Sequence, residues 1–207
     1  MQDVLTLARE ARDITTFAKA YFRRLCEIFE TLDFAALASL VSRLEDARVN
    51  DRMVFVAGNG GSATTATCMA NDLGFDVLKK AGTARTFRMH SLTDNNAVLT
   101  AISNDVGYDR VFVDQMRVHF REGDVLIVIS ASGDSPNVVN AAQWARQHGG
   151  TVVALLGFEG GRLASIADVV LHFASTRGEY GPVEDAHLVL NHILAHWFQE
   201  KLRGEAG

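Results

Sequence analysis

The sequence predicts an α/β domain: a parallel sheet covered by helices on both faces, preceded by a helical hairpin. Three observations carry that expectation. Short apolar runs of β type recur at Met53–Ala57 (MVFVA), Val125–Ser130 (VLIVIS) and Thr151–Leu156 (TVVALL). They lack the polar alternation of a half-solvated strand, which marks strands buried on both faces. Helical stretches separate them, and strands alternating with helices imply parallel crossovers.

The bulk composition narrows the class. With 48% apolar and 22% charged residues the chain has material for a large core, and disorder is not expected. A length of 207 residues suits one structural unit, read as a hairpin over 1–50 and a sheet domain over 51–207. The net charge of −5, with no long basic run, argues against sequence-independent nucleic-acid binding. Cys26 and Cys68 form no CxxC motif, so no disulfide framework is indicated and a reducing compartment fits. The first residues are charged, without an apolar signal core, and no apolar run reaches the length of a membrane span. The expectation is a soluble, cytoplasmic protein.

Taken in order, Val4 to Phe29 places Leu5, Ala8, Ile14, Phe17, Tyr21, Leu25 and Ile28 at helical spacing. A second helix is expected over Phe34 to Ala47. The apolar stripe of this hairpin needs a partner, and another subunit is the natural candidate. After the first strand come Thr86–His90 as a short strand, a polar turn, and helices over Ala97–Ser103 and Asp109–Phe120. Helix Pro136–Gln147 lies between the two later buried strands. A Gly-Gly turn and a short helix lead to a last strand, Val169–Phe173, and Val183–Leu202 forms a long final helix. Pro136 and Pro182 each stand near a helix start, where the missing N–H is harmless.

The chemistry concentrates in two turns that follow buried strands. Gly58-Asn59-Gly60-Gly61-Ser62 joins the first strand to a helix. Helix N-termini carry unpaired N–H groups, and glycine lets an anion approach them. Ser62 suits either the N-cap position or hydroxyl donation to a phosphate oxygen. The spacing is neither the Walker pattern nor G-x-G-x-x-G. The second turn, Ser130-Ala131-Ser132-Gly133-Asp134-Ser135, offers three hydroxyls ahead of the helix that begins at Pro136. Its serines serve either as turn formers or as neutral phosphate donors. Ligands bind at this edge of open α/β sheets, and two such turns in one domain favour a sugar-phosphate site.

GNGGSA at Gly58–Ala63, ANDLG downstream, ISND at Ile102–Asp105 and the spaced serines of Ile129–Ser135 together resemble the sugar isomerase (SIS) family, and within it the phosphoheptose isomerase group. The resemblance covers Val54 to the final helix, and the hairpin also matches that group's architecture. It implies a flavodoxin-like five-stranded parallel sheet and a homotetramer with active sites at subunit interfaces. It also implies isomerisation of sedoheptulose 7-phosphate to glycero-manno-heptose 7-phosphate. That reaction needs a base beside a carbonyl and an acid on the oxygen that becomes enediol. By the resemblance, Asp72 stands at the position of a catalytic glutamate and His192 at that of its histidine partner. Glu184 stands at a glutamine position, and His187 matches a further histidine with a supporting or structural role. The substrate-binding set is then Asn59, Gly60, Gly61, Ser62, Asp105, Ser130, Ser132, Ser135 and Glu184. Asn104-Asp105 reads equally as a helix stop.

Some family members hold zinc in this site. The matching residues are Cys68, Asp72, Glu184 and His192, whose donor atoms all suit the metal. Cys68 and Asp72 are at i,i+4 and share a helix face. Glu184 and His192 lie about 12 Å apart along a helix axis, so one of them would lean far or come from another subunit. No cofactor beyond one zinc per site is implied. The sequence departs from the family pattern at Cys68, which stands at a histidine position, at Glu184, and in three further respects. Aspartate replaces the catalytic glutamate, one methylene shorter. Gly74-Phe75-Asp76 stands where an arginine is common, leaving Lys79, Lys80, Arg85 or Arg88 as possible substitutes for it. Gly181 replaces an aspartate. The same subgroup contains a non-catalytic adaptor that binds a bacterial replication initiator. The alternatives to the heptose isomerase are therefore an adaptor or an isomerase for another sugar phosphate.

Overall fold

The computed structural model describes residues 3–205. Three helices come first: α1 (Val4–Glu10), α2 (Ile14–Phe29) and α3 (Phe34–Val49). The periodic stretch from Val4 to Phe29 is thus two helices rather than one. Asp13 is extended, and its carboxylate accepts the Thr16 N–H at 2.7 Å, which caps a new helix and ends the old one. Asp3 and Asp33 cap α1 and α3 in the same way.

The rest alternates as expected. Strand β1 (Met53–Gly58) leads to α4 (Gly61–Met69), a π-helical stretch (Ala70–Asp76) and α5 (Val77–Ala81). Strand β2 (Arg88–Ser91), α6 (Asn96–Asp105), a 3₁₀ turn (Tyr108–Arg110) and α7 (Val113–His119) follow. Then come β3 (Val125–Ser130), α8 (Pro136–Gln147), β4 (Thr151–Leu156), α9 (Leu163–Ile166), β5 (Val169–His172) and α10 (Tyr180–Lys201). Two expected helix bounds shift for visible reasons. Asn104 and Asp105 are the last residues of α6 rather than a break after Ser103, because the chain turns only at Gly107, with φ of 139°. The span Asp109–Phe120 is a 3₁₀ turn followed by a shorter helix.

All five strands are parallel, in the order β2-β1-β3-β4-β5. Side-chain alternation divides the core. Val54, Val56, Ile127, Ile129, Val153 and Leu155 face α3 and α10. Phe55, Leu126, Val128, Val152 and Ala154 face α7 and α8. Both faces being covered explains why the strands read as unbroken apolar runs. Among the described residues no helix is long and apolar enough to cross a membrane.

The helical N-terminal region is locked to the sheet domain by buried charge. Glu179, which precedes α10, accepts from Arg24 Nε (3.0 Å) and Nη2 (2.6 Å), and from the backbone N–H groups of Val4 (2.9 Å) and Thr176 (2.7 Å). Both side chains are about 2% exposed. Nearby, the Tyr21 hydroxyl donates to Asp185 at 2.5 Å. Residues of α2 therefore hold the first turns of α10, and α10 supplies one wall of the site.

Candidate active site

Strand order reverses at β1: the chain leaves it for β2 on one side and returns to β3 on the other. Ligands of open α/β sheets sit at that switch point, outside the C-terminal strand ends. Here β1 ends at Gly58 and β3 at Ser130, and the two polar turns meet across the crevice. The cleft is lined by Asn59, Ser62, Ser130, Ser132 and Ser135, with Tyr180 and Glu184 of α10 opposite.

The first turn is built differently from the sequence expectation. Gly60 is the N-cap of α4, with φ of 56°, a conformation that favours glycine. Ser62 is therefore the second helical residue, not the cap, and its hydroxyl has no partner among the described residues. The Ser62 and Ala63 N–H groups bond to the Asn59 and Gly60 carbonyls at 3.0 Å. Of the expected donors, the Gly61 N–H and the Ser62 hydroxyl remain for a ligand. Asn59 is tied down by a reciprocal amide pair with Asn137 (2.9 and 2.8 Å), and Tyr108 O–H donates to its Oδ1 at 2.8 Å.

The serines of the second turn accept within the turn and keep their protons. Ser130 Oγ accepts from the Gly133 N–H at 3.0 Å, and Ser132 Oγ from the Asp134 N–H at 3.3 Å. Ser135 is the N-cap of α8 but makes no side-chain cap bond. All three hydroxyls are free to donate into the cleft, which suits an anion held by neutral groups.

None of the expected substitute cations reaches this cleft. Lys79 and Lys80 pair with Asp76 at 2.6 and 3.0 Å. Arg85 donates to the Val49 carbonyl at 2.7 Å, and Arg88, at the start of β2, bonds Asp51 at the opposite sheet edge. Asp105 is exposed, accepts from Asn104 at 2.8 Å and does not line the cleft.

Glu184 takes the closest place to the anion turn. A Cβ added at Gly61 would collide with its carboxylate, so glycine leaves room for that group over the first turn of α4. Burial, and secondly the neighbouring Asp185 charge, push its carboxyl above the usual range.

The catalytic candidates meet beyond the C-terminal end of α4. Asp72 lies in the π-helical stretch, one-fifth exposed, and its Oδ2 is 3.9 Å from His192 Nε2 on α10. Asn191 Nδ2 donates to the same Oδ2 at 2.6 Å, and Asn71 Nδ2 to Oδ1 at 2.9 Å. His192 itself is more than half exposed. The π-helix changes one expectation: beyond Ala70 the turns widen, so Cys68 and Asp72 do not keep the i,i+4 alignment of an α-helix. Among the described residues no three His, Cys, Asp or Glu side chains are placed to hold a metal ion. Cys68, Asp72, Glu184 and His192 thus do not form a zinc site within one chain.

His187 is fully buried and packs edge-on against Phe173, with centroids 5.3 Å apart. Neither ring nitrogen meets hydrogen-bond geometry. The Leu156 carbonyl favours its proton, but burial dominates and lowers the ring to about 4, so it is neutral at pH 7. Its place is structural.

Tyr180, Asn137 and Asn191 carry no motif that singles them out in the sequence. Asn191 had one available signal: it is a polar residue on the apolar stripe of the last helix, one turn after His187.

This sheet order, with hydroxyl-lined turns at the switch point, defines an α/β domain of the flavodoxin-like type with an anion-binding crevice. Comparison with known proteins places it further: the chain belongs to the SIS domain family, whose model matches residues 17–157. It is 36% identical to the phosphoheptose isomerase of Geobacter sp. (strain M21), over 89% of this chain and 95% of that one. It is 37% identical to the phosphoheptose isomerase of Sulfurimonas denitrificans, over 75% and 77%. The structure of phosphoheptose isomerase GmhA from Neisseria gonorrhoeae superposes with a TM-score of 0.76 at 28% identity, covering 90% of this chain and 97% of that one. A Francisella tularensis phosphoheptose isomerase shares the fold at the same TM-score and 24% identity, over 90% and 96%.

Proposed function

We propose that this protein is an aldose–ketose isomerase that converts sedoheptulose 7-phosphate to glycero-manno-heptose 7-phosphate through an enediol. The observation that carries the reading is the approach of Asp72 to His192 on the helix that also lines the hydroxyl cradle. One member of the pair lifts the proton from C1 of the ketose while the other protonates the carbonyl oxygen at C2. The enediol then loses the O1 proton and gains one at C2, which yields the aldehyde. Two groups within 4 Å of one another can divide these transfers between them.

Spacing along α10 agrees with the substrate class. Glu184, beside the cradle, and His192, beside the base, are eight residues apart, about 12 Å along the axis. A substrate bound at both ends is extended, with its phosphate remote from the reacting carbons. Within one chain the phosphate meets helix N-termini and hydroxyls without a cation. The adaptor alternative gains no support, since the acid–base pair is assembled. The donor set of one chain does not fit tetrahedral zinc, and the proton transfers proposed here use Asp72 and His192. Turnover of sedoheptulose 7-phosphate, with the product identified, tests the reading.

The site reading extends to a homotetramer with the sites at subunit interfaces. Val189, Ile193 and Trp197 recur at i, i+4 and i+8 on α10 and are 37%, 49% and 48% exposed. Phe75 and Leu78, on the segment packed beside α10, are 66% and 41% exposed. Together they make an apolar face that includes His192, more than a lone surface residue needs. Light scattering is expected to give four times the 22.6 kDa chain mass. Trp197→Glu is expected to lower that mass, and a monomeric parent would contradict the reading.

A further inference from the structure

We propose that Asn191 is a positioning residue for Asp72, retained at a cost to the core because it aims the catalytic carboxylate. The inference rests on the isomerase reading above. Asn191 is fully buried on α10, on the face that carries Leu190, Leu194 and Phe198 into the core. Its Nδ2 donates to Asp72 Oδ2 at 2.6 Å, across 119 residues of sequence. Its Oδ1 is buried without any hydrogen-bond partner. A buried acceptor left unpaired is unfavourable, and an apolar side chain of the same size would remove the penalty. The amide therefore does not serve the core. With the amide reversed, its oxygen would face a carboxylate oxygen and the contact to Asp72 would be lost.

What the amide does is fix the direction of Asp72. Asn191 holds Oδ2 from the buried side and Asn71 holds Oδ1 from the exposed side. His192 Nε2 approaches the same Oδ2 from the next position on α10. The carboxylate is thus clamped between two amides with its edge turned towards the histidine. The clamp matters here because aspartate has one methylene less reach than glutamate, and the π-helical stretch re-aims its Cα. A short acid on a widened turn needs an external hold, and a misplacement of about an ångström costs on the order of 100-fold in rate.

The test is Asn191→Leu, with Asn191→Ala as a second variant that fits the same space without overpacking. For Asn191→Leu we expect kcat to fall about 100-fold, KM to stay within about twofold, and Tm to hold or rise by a few degrees. Asn191→Ala should lose kcat similarly. In an Asp72→Ala background neither change should lower the residual rate further, because the amide acts through that carboxylate. Full kcat in either folded variant overturns the proposal. So does a loss of kcat that is matched by a rise in KM and a fall in Tm in Asn191→Leu, which marks a purely structural residue. The parent arm separates this from the function itself. If the parent does not turn over, the isomerase reading fails, and the Asp72 rotamer in crystals of Asn191→Ala then decides the positioning. An unmoved carboxylate overturns it and a swung one supports it.

Discussion

Asp72→Asn is expected to lower kcat for sedoheptulose 7-phosphate by about 10²–10⁴-fold while leaving the oligomer and Tm intact. The amide keeps the size of the carboxylate and can still meet Asn71 and Asn191, so the fold has little reason to change. What disappears is the proton-accepting oxygen 3.9 Å from His192. His192→Ala should lose a comparable factor, and its exposure means that the fold tolerates the change. Because the two residues share one proton-transfer step, the double variant should lose far less than the product of the two factors. Steady-state kinetics with light scattering checks both halves. Near-parental turnover in both single variants would remove Asp72 and His192 from the chemistry.

The largest effect on stability is expected from Arg24→Ala. It strips the partner from Glu179, a carboxylate 1% exposed, and leaves a buried charge held, among the described residues, by the Val4 and Thr176 N–H groups. Breaking one side of a buried pair costs about 3–5 kcal/mol, which for a chain of this size is a fall in Tm of roughly 6–20 °C. The same pair sets the acid limit of the fold. Burial alone would push Glu179 up, but Arg24 and the two backbone donors outweigh it and hold the carboxyl below its usual value. A group depressed in this way stabilises the fold fully above its unfolded value of about 4.3, and that contribution is lost as the pH falls through the lower folded value. Parental Tm should therefore decline on acidification below about pH 4.3. Arg24→Ala should already be low at pH 7 and show a shallower acid decline. An Arg24→Ala protein as stable as the parent would contradict the claim that this ion pair fastens α2 to α10.

Much of this was legible in the sequence because it was local. The unbroken apolar runs marked β1, β3 and β4 within a residue, and the serines after β3 line the cleft at the switch point. Asp13 was a visible capping signal that the helical periodicity around it masked. The less legible parts depend on residues far apart. Nothing at Asn191 reveals a bond to residue 72, because an isolated asparagine on an apolar stripe has no local meaning. The π-helical stretch over Ala70–Asp76 has no periodic signal of its own in the sequence, so Cys68 and Asp72 read as i,i+4 neighbours of a regular helix. Lys79, Lys80, Arg85 and Arg88 were plausible phosphate ligands by charge alone. Their partners, Asp76 just ahead of α5 and the Val49 and Asp51 groups at the far sheet edge, claim them instead.

The most direct test is solvent-proton exchange at C1 of sedoheptulose 7-phosphate, followed by NMR in D₂O with the purified protein, with and without EDTA. The account predicts deuterium at C1, appearance of the aldose phosphate, and loss of both in Asp72→Asn. The arms with and without EDTA read whether a metal gathered between subunits takes part, since one chain alone brings no three candidate ligands together among the described residues. Absence of exchange in the parent protein, under conditions where the sugar phosphate binds, would contradict the isomerase reading and leave the crevice as a binding site.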